Sequence, residues 1–254
     1  MKKIENLKVL SNKKLNANYF LLELQSTSRL PKIESGQFVN VEVEKSKETF
    51  LRRPFSIHDV DESKNSISLL IRIVGKGTEG LSKLESNELV SVVFPLGKGF
   101  KHKNEKNVLL VGGGCGVAPM FYLAKELKKK GITPNILFGV RSKNEIVRDS
   151  EYKKYSNLFF TTEDGSFGEK GYVTNHSILE KKKFDKIYTC GPEVMMKAVA
   201  KYAKDNGIEC EVSLENMMAC GIGVCLGCVT ETTTGRRCVC SEGPVFNVKE
   251  LNWF

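Results

Sequence analysis

The sequence predicts a multidomain α+β fold: an N-terminal antiparallel β-barrel, a doubly wound α/β domain with a parallel sheet, and a small C-terminal domain. Three observations predict it. Residues 1–101 contain short strand patterns separated by Gly, Asn and Pro, which is typical of a barrel. Residues 102–215 alternate apolar runs with helical patterns, which indicates a parallel sheet. Residues 216–254 contain five cysteines and no apolar pattern able to form a separate core.

The strands of the barrel region are predicted from alternation. Residues 19–24, 37–43 and 66–74 carry β-branched and aromatic side chains in strand-like order. The turn-rich segment 94–100 contains Pro95, Gly97 and Gly99 and marks the boundary with the next domain.

The second region is predicted from buried-type strands that are followed by helices. The apolar run 107–111 leads into three glycines and a helix that continues through Leu127. Strands are also predicted at 135–140, 157–161, 186–189 and 210–214, with a helix over 193–204.

The composition excludes several classes of protein. Of 254 residues, 41% are hydrophobic and 27% charged, as in a globular protein. The net charge of +9 comes mostly from lysines scattered among acids, without the arginine–aromatic pattern of nucleic-acid binding. No segment approaches the ~20 apolar residues of a membrane span, and the N-terminus lacks a signal-peptide core. We therefore expect a cytoplasmic protein that binds neither nucleic acid nor a membrane.

The C-terminal cysteines carry the strongest chemical signal. Cys220, Cys225 and Cys228 have the C-x4-C-x2-C spacing of a plant-type [2Fe–2S] loop. The glycines between them allow the backbone to wrap and to point N–H groups at anionic sulfurs. The fourth ligand is either Cys238 or Cys240, and a zinc site built from the last four cysteines is the alternative.

Two glycine-rich turns at strand ends predict a nucleotide cleft. Gly112-Gly113-Gly114-Cys115-Gly116 follows one strand, and Cys190-Gly191-Pro192 follows another. Each turn precedes a helix, whose N-terminal N–H groups favour a pyrophosphate. Ligands of doubly wound sheets bind where such strand ends meet.

A further set of residues in the barrel region suits a flavin dinucleotide. Arg52-Arg53-Pro54-Phe55-Ser56 supplies cations and a hydroxyl, and the turn 75–80 supplies glycines before a short helix. Taken alone, the arginine segment is also consistent with a basic edge strand ended by proline.

These motifs, in this order, resemble the ferredoxin-NADP reductase superfamily. The tail, with residues 218–228 followed by Val239-Cys240-Ser241-Glu242-Gly243-Pro244-Val245-Phe246, resembles the electron-transfer subunits of class 1B dihydroorotate dehydrogenases. The resemblance covers the whole chain and implies FAD in the barrel, NAD in the α/β domain and a [2Fe–2S] cluster in the tail.

The resemblance also implies roles for individual residues. The FAD site would use the Arg-Pro-Phe-Ser segment, the strand beside it and the glycine turn, namely Arg53, Pro54, Phe55, Ser56, Leu70, Ile71, Arg72, Gly77 and Thr78. The nicotinamide nucleotide would lie between Gly113, Gly114, Cys190 and Gly191. The cluster ligands would be Cys220, Cys225, Cys228 and Cys240, since the family's last ligand precedes the Glu-Gly-Pro-Val-Phe segment.

The implied function is electron transfer in pyrimidine biosynthesis. Electrons would pass from the FMN of a separate catalytic subunit through the cluster and FAD to NAD⁺, in a heterotetramer of two catalytic and two electron-transfer subunits. Dihydroorotate would be oxidised in the partner and not in this chain. The alternatives are an NAD(P)H-dependent reductase subunit that serves another acceptor, such as a hydrogenase or ferredoxin, and a zinc-stabilised binding protein.

Overall fold

The first sheet is built from the N-terminal strands of a computed structural model that describes residues 2–45 and 48–254. It contains seven antiparallel strands in the order β4-β3-β7-β1-β2-β6-β5. The strands are β1 (Lys3–Lys14), β2 (Tyr19–Gln25), β3 (Phe38–Val41), β4 (Arg53–Ser56), β5 (Asp59–Asp61), β6 (Ser66–Arg72) and β7 (Leu89–Leu96), with helix α1 (Lys76–Ser82) between the last two.

The sheet closes into a barrel through the chain that follows β4. The His58 N–H donates to the Ser68 carbonyl of β6 at 2.8 Å, and β5 then pairs with β6. The two ends of the strand order are thereby joined. The interior is filled by fully buried aliphatic side chains such as Leu22, Leu69 and Val92, which alternate with outward-facing residues.

The second sheet is parallel and has helices on both faces. Its core strands are β8 (Val108–Gly113), β9 (Asn135–Val140), β10 (Asn157–Thr162), β11 (Glu169–Lys170), β12 (Lys186–Cys190) and β13 (Glu209–Ser213). The helices are α2 (Ala118–Lys129), α3 (Asp149–Tyr152), α4 (Ile178–Lys181) and α5 (Glu193–Asp205). The strand order β11-β10-β9-β8-β12-β13 reverses between β8 and β12, which is where such folds bind ligands.

The C-terminal region adds a small hairpin and an edge strand. Its elements are β14 (Val229–Thr232), β15 (Gly235–Cys238), α6 (Val239–Glu242) and β16 (Val245–Asn247). Strand β16 pairs antiparallel with β13 of the second sheet. Val239 and Phe246 are buried in one core with Val212. The tail therefore has no separate core, as its sequence indicates.

The predicted fold class is confirmed, and most predicted elements agree with the structure. The strand predicted over 66–74 ends at Arg72, because the chain turns there into α1. The strand predicted over 37–43 is limited to Phe38–Val41, where its pairing with β7 contains a register shift. The domain limits at 101 and 215 stay predictions. In the part of the chain described, we find no helix with the length and hydropathy needed to span a membrane.

Candidate functional site

The three closely spaced cysteines lie on a tightly wound loop before β14. Gly221, Gly223 and Leu226 adopt φ values of 70°, 90° and 58°, in the left-handed region. This winding turns backbone N–H groups toward sulfur. Those of Ile222 and Cys225 donate to Cys220 Sγ, that of Gly227 donates to Cys225 Sγ, and that of Cys240 donates to Cys228 Sγ, at 3.4–3.5 Å.

These N–H groups favour the thiolate form of Cys220. Partial burial opposes ionisation, but the backbone hydrogen bonds from Ile222, Cys225 and Val224 outweigh it and lower the pKa of Cys220 to about 6. A thiolate is the form that ligates metal. The loop is therefore prepared for an anionic sulfur group before any metal binds.

The fourth thiolate would come from Cys240 or Cys238. Cys240 is buried, and burial together with the neighbouring Cys228 thiol raises its pKa to about 12. Cys238 ends β15, and its N–H donates to Glu242 Oε2 at 2.8 Å. The hydrogen bond from Cys240 N–H to Cys228 Sγ supports Cys240, whose choice stays a prediction.

The donor set fits an iron–sulfur cluster. A two-iron cluster spreads four thiolates over two metal ions, and N–H groups directed at its sulfurs stabilise its negative charge. Within residues 2–45 and 48–254, no group of three or more His, Cys, Asp or Glu side chains is arranged to hold one metal ion. The N–H groups directed at the cysteine sulfurs fit the predicted cluster.

The loop is attached to the barrel. Asn40 Nδ2 of β3 donates to the Ala219 carbonyl at 3.4 Å. A Cβ on Gly221 would lie only 2.9 Å from that same Nδ2, so a side chain there would displace the Asn40 amide. The cysteine loop and the barrel are consequently held in direct contact.

The loop also carries an apolar rim, which we define as Met217, Ile222, Val224 and Leu226. These side chains are 91%, 45%, 75% and 64% exposed. Grouped exposed apolar side chains mark interaction surfaces. Along the chain, the rim residues flank or alternate with Cys220 and Cys225.

The residues predicted to bind FAD meet at one edge of the barrel. Arg53 Nε lies 3.2 Å from the position a Cβ on Gly77 would occupy, so the arginine and the α1 turn are adjacent. The four residues of β4 are each half-buried. Strand β4 also contacts β6, which carries the other predicted residues.

Three predicted FAD residues are more enclosed than the resemblance implies. The Thr78 hydroxyl donates to the Gly75 carbonyl and accepts from the Val74 and Gly75 N–H groups, so it is already engaged in the turn. Leu70 and Ile71 are buried in the two domain cores. Their side chains are therefore almost fully buried in this structure, and their contribution to the FAD site stays a prediction.

A cavity of about 410 Å³ lies over the glycine turn of the second sheet. Gly113, Gly114, Pro192 and Met195 line it, in the range of volumes typical of small-molecule sites. Arg72 of β6 also lines it, so this predicted FAD residue and the glycines predicted to hold the nicotinamide nucleotide share one cavity.

Cys190 and Gly191 lie next to the glycine turn that lines the cavity. The Cys190 side chain is fully buried, and its thiol donates to Glu215 Oε1 at 3.5 Å. Gly191 has a φ of 143°, and a Cβ there would lie 2.9 Å from the Gly113 backbone. Direct contact of either residue with the nucleotide stays a prediction.

Sequence reasoning missed several lining residues. They follow β9, β10 and β11 and include Arg141, Glu145, Glu163, Tyr172 and Thr174. Two of these residues could have been found from their positions in the sequence, because Arg141 and Glu163 come just after predicted strands and the carboxyl ends of neighbouring parallel strands share one edge of the sheet.

Comparison with known families assigns a binding role to each of the three regions. Residues 6–100 match a family model described as an oxidoreductase FAD-binding domain, and residues 110–201 match an oxidoreductase NAD-binding domain. Residues 215–252 match the iron–sulfur cluster binding domain of dihydroorotate dehydrogenase B. The barrel, the cavity and the cysteine loop thus define a flavin- and nicotinamide-dependent oxidoreductase with an iron–sulfur cluster.

Curated relatives narrow this class. The chain is 36% identical over 260 residues to the electron transfer subunit of dihydroorotate dehydrogenase B (NAD(+)) of Fusobacterium nucleatum, covering 98% of both chains. It is 45% identical over 205 residues to that of Clostridium acetobutylicum, covering 80% of both. The chain belongs to the family of dihydroorotate dehydrogenase B electron transfer subunits.

Solved structures agree on the fold. A structure of an NADH-dependent reduced ferredoxin-NADP oxidoreductase matches with a TM-score of 0.86 and 30% identity over 98% of this chain and 90% of that chain. An Amycolatopsis cytochrome P450 reductase matches with a TM-score of 0.69 and 20% identity over 80% of this chain and 66% of that one. The second match bears on the fold alone.

Proposed function

We propose that this chain carries electrons between a dihydroorotate-oxidising catalytic subunit and NAD⁺. The physiological direction would be from the FMN of that partner through the [2Fe–2S] cluster and FAD to NAD⁺, within pyrimidine biosynthesis. The observation that carries the proposal is the contact of the cysteine loop with the FAD-binding barrel through Asn40 and Ala219. Family membership supports it, because the relatives are named for this role.

Each domain has a distinct task in this proposal. Residues 1–101 would hold FAD with Arg53 and the α1 turn, residues 102–215 would hold the nicotinamide nucleotide over Gly113 and Gly114, and residues 216–254 would hold the cluster. Bound FAD exchanges hydride with nicotinamide and single electrons with an iron–sulfur cluster, so it links a two-electron carrier to a one-electron carrier.

The chain's own residues position these groups and control access. Loop N–H groups hold negative sulfur charge at Cys220 and Cys225. Arg72 adds positive charge to the nucleotide cavity, where the ligand's phosphates are negative. The apolar rim would dock the partner and exclude water from the point where electrons enter.

Two chains of this protein and two catalytic subunits would form the working complex, in the cytoplasm. Eight free cysteines suit a reducing compartment. Size-exclusion chromatography with light scattering measures the stoichiometry, and a mass other than two of each overturns it.

The decisive experiment combines this chain with an FMN-containing dihydroorotate dehydrogenase subunit. We expect a stable complex that reduces NAD⁺ with dihydroorotate, while neither component does so alone. The absence of a complex, or NAD⁺ reduction unchanged by adding this chain, would contradict the proposal.

A second candidate is a reductase subunit serving another acceptor, such as ferredoxin. The match to the reduced ferredoxin-NADP oxidoreductase over 98% of the chain favours it. NADH-dependent reduction of ferredoxin, together with no binding to the dihydroorotate-oxidising subunit, would select this candidate.

A further inference from the structure

A second cleft lies at the junction of the barrel and the nucleotide-binding domain. It has a volume of about 540 Å³ and is formed by residues 32–35, by the connector 98–102 and by α2. We call it the junction cleft. It shares no lining residue with the cavity over Gly113, so it is a separate site.

Lysines surround the junction cleft without pairing. Lys32, Lys98, Lys101 and Lys130 line it and are exposed. In the described ranges, no carboxylate lies within 4.0 Å of any of these four ammonium groups. Unpaired lysines are common on a convex surface, but here four of them converge on one concavity, which concentrates positive potential.

The acidic residues of the cleft do not cancel this charge. Glu126 Oε2 accepts from the Ser35 N–H at 3.3 Å, which ties it to the 32–35 segment. Glu34 is the other carboxylate in the lining. His102 is held 3.2 Å from Glu105, and burial lowers its pKa, so it adds no charge at neutral pH. The cleft keeps two net positive charges.

The floor of the cleft is apolar. Leu123 and Leu127 of α2 are buried, and the ring of Phe100, which is 9% exposed, forms part of the lining. Phe100 is fixed by an edge contact with Tyr188 at 5.3 Å. A rigid aromatic edge with aliphatic side chains accepts a planar ring, while the lysines around it accept phosphates.

We propose that the junction cleft binds a nucleoside polyphosphate, with its phosphates among the lysines and its base against the exposed edge of the Phe100 ring. The connector that lines the cleft also contacts the C-terminal region, because the Lys98 N–H donates to the Gly243 carbonyl. A ligand here therefore contacts a segment that connects the barrel with the nucleotide-binding domain and also touches the tail. The proposal does not depend on the proposed function.

Calorimetry with the holoprotein saturated with NAD⁺ tests the assignment. The probes are ATP, UTP and inorganic tripolyphosphate. Lys32→Gln/Lys101→Gln/Lys130→Gln removes three cleft charges, and Lys103→Gln/Lys106→Gln/Lys129→Gln removes three charges outside the lining. We expect the first variant to weaken nucleotide binding by about tenfold or more and the second by less than about twofold.

The floor is tested separately by Phe100→Leu, which keeps the site apolar but removes the ring. It should weaken nucleotide binding and leave tripolyphosphate binding unchanged. The proposal would be overturned if both lysine variants lost the same nucleotide affinity. It would also be overturned if no nucleotide bound in the millimolar range, or if tripolyphosphate bound as tightly as the nucleotides. Binding of an acidic peptide but not of nucleotides would also overturn it.

Discussion

Arg72 of the barrel and Glu145 of the nucleotide-binding domain form an ion pair, with 3.4 Å between Nη2 and Oε1. Both side chains line the cavity over Gly113 and Gly114. The guanidinium is also 5.8 Å from the centre of the Tyr19 ring. Arg72 is thereby held at the boundary between the two domains, facing the place where a dinucleotide would lie.

This pair leads to a prediction about nucleotide affinity. Arg72→Gln removes the cation that would meet the ligand's phosphates, so the Kd for NADH should rise by about tenfold. Glu145→Gln leaves the cation in place and removes a competing anion, so the Kd should change by less than about threefold. Titration of the holoprotein with NADH measures both, and equal weakening by the two substitutions would show that the pair only supports the fold.

The cysteine assignments predict a clear difference between two neighbouring substitutions. Cys240→Ser should abolish most of the bound iron and the visible absorption of the cluster, because it removes the fourth thiolate. Cys238→Ser, two residues away, should retain iron at the level of the unmodified protein. The iron content of the two purified variants is the measurement. Loss of iron in Cys238→Ser and retention in Cys240→Ser would make Cys238 the ligand.

The sequence predicts those parts of the site that lie within one short segment. The spacing of Cys220, Cys225 and Cys228 predicts the wound cysteine loop, and the glycine run with Gly113 and Gly114 predicts the turn that lines the cavity. By contrast, the approach of Glu145 to Arg72 depends on how two domains pack, and it cannot be predicted from any local sequence pattern. The same holds for Asn40, which reaches the cysteine loop from 179 residues away.

Removing the apolar rim should weaken partner binding without loss of the cluster. Val224→Ser/Leu226→Ser replaces two exposed side chains beside the cysteines, so the affinity for the catalytic subunit should fall by about tenfold or more. Val74→Ser/Leu89→Ser is a matched control, because both residues are exposed and lie on the barrel. Surface plasmon resonance measures binding, and iron content verifies folding. Equal effects of the two pairs would exclude the rim as the docking surface.

Close contact between two strand ends makes Gly116 sensitive to any side chain. A Cβ at this position would lie 2.3 Å from the Cys190 carbonyl oxygen, which is backbone and has no room to move. Gly116→Ala should destabilise the protein by about 2–3 kcal/mol. Gly131→Ala, where a Cβ meets no atom within 4 Å, should cost about 1 kcal/mol for its positive φ. Urea unfolding compares them, and similar losses would contradict the steric account.

His58 gives the stability of the protein a predictable dependence on pH. The side chain is fully buried, its Nδ1 donates to the Ala118 carbonyl at 2.9 Å, and its ring stacks on Phe121. Burial, together with the positive charges of Arg148 and Lys125, lowers its pKa from 6.5 to about 3. The folded protein therefore keeps His58 neutral, whereas the unfolded chain binds a proton below about pH 6.5.

Because the unfolded state gains that proton, the free energy of unfolding should fall as the pH drops from about 6.5 toward 3. Between about pH 7.5 and 5.5, the contribution of His58 should decrease by about 1.4 kcal/mol. His58→Gln cannot titrate, so the difference in unfolding free energy between the unmodified protein and the variant isolates this contribution from that of other groups. Urea titrations of the holoprotein at the two pH values measure the difference, and a constant difference would mean that the pKa of His58 is the same in the folded and the unfolded protein.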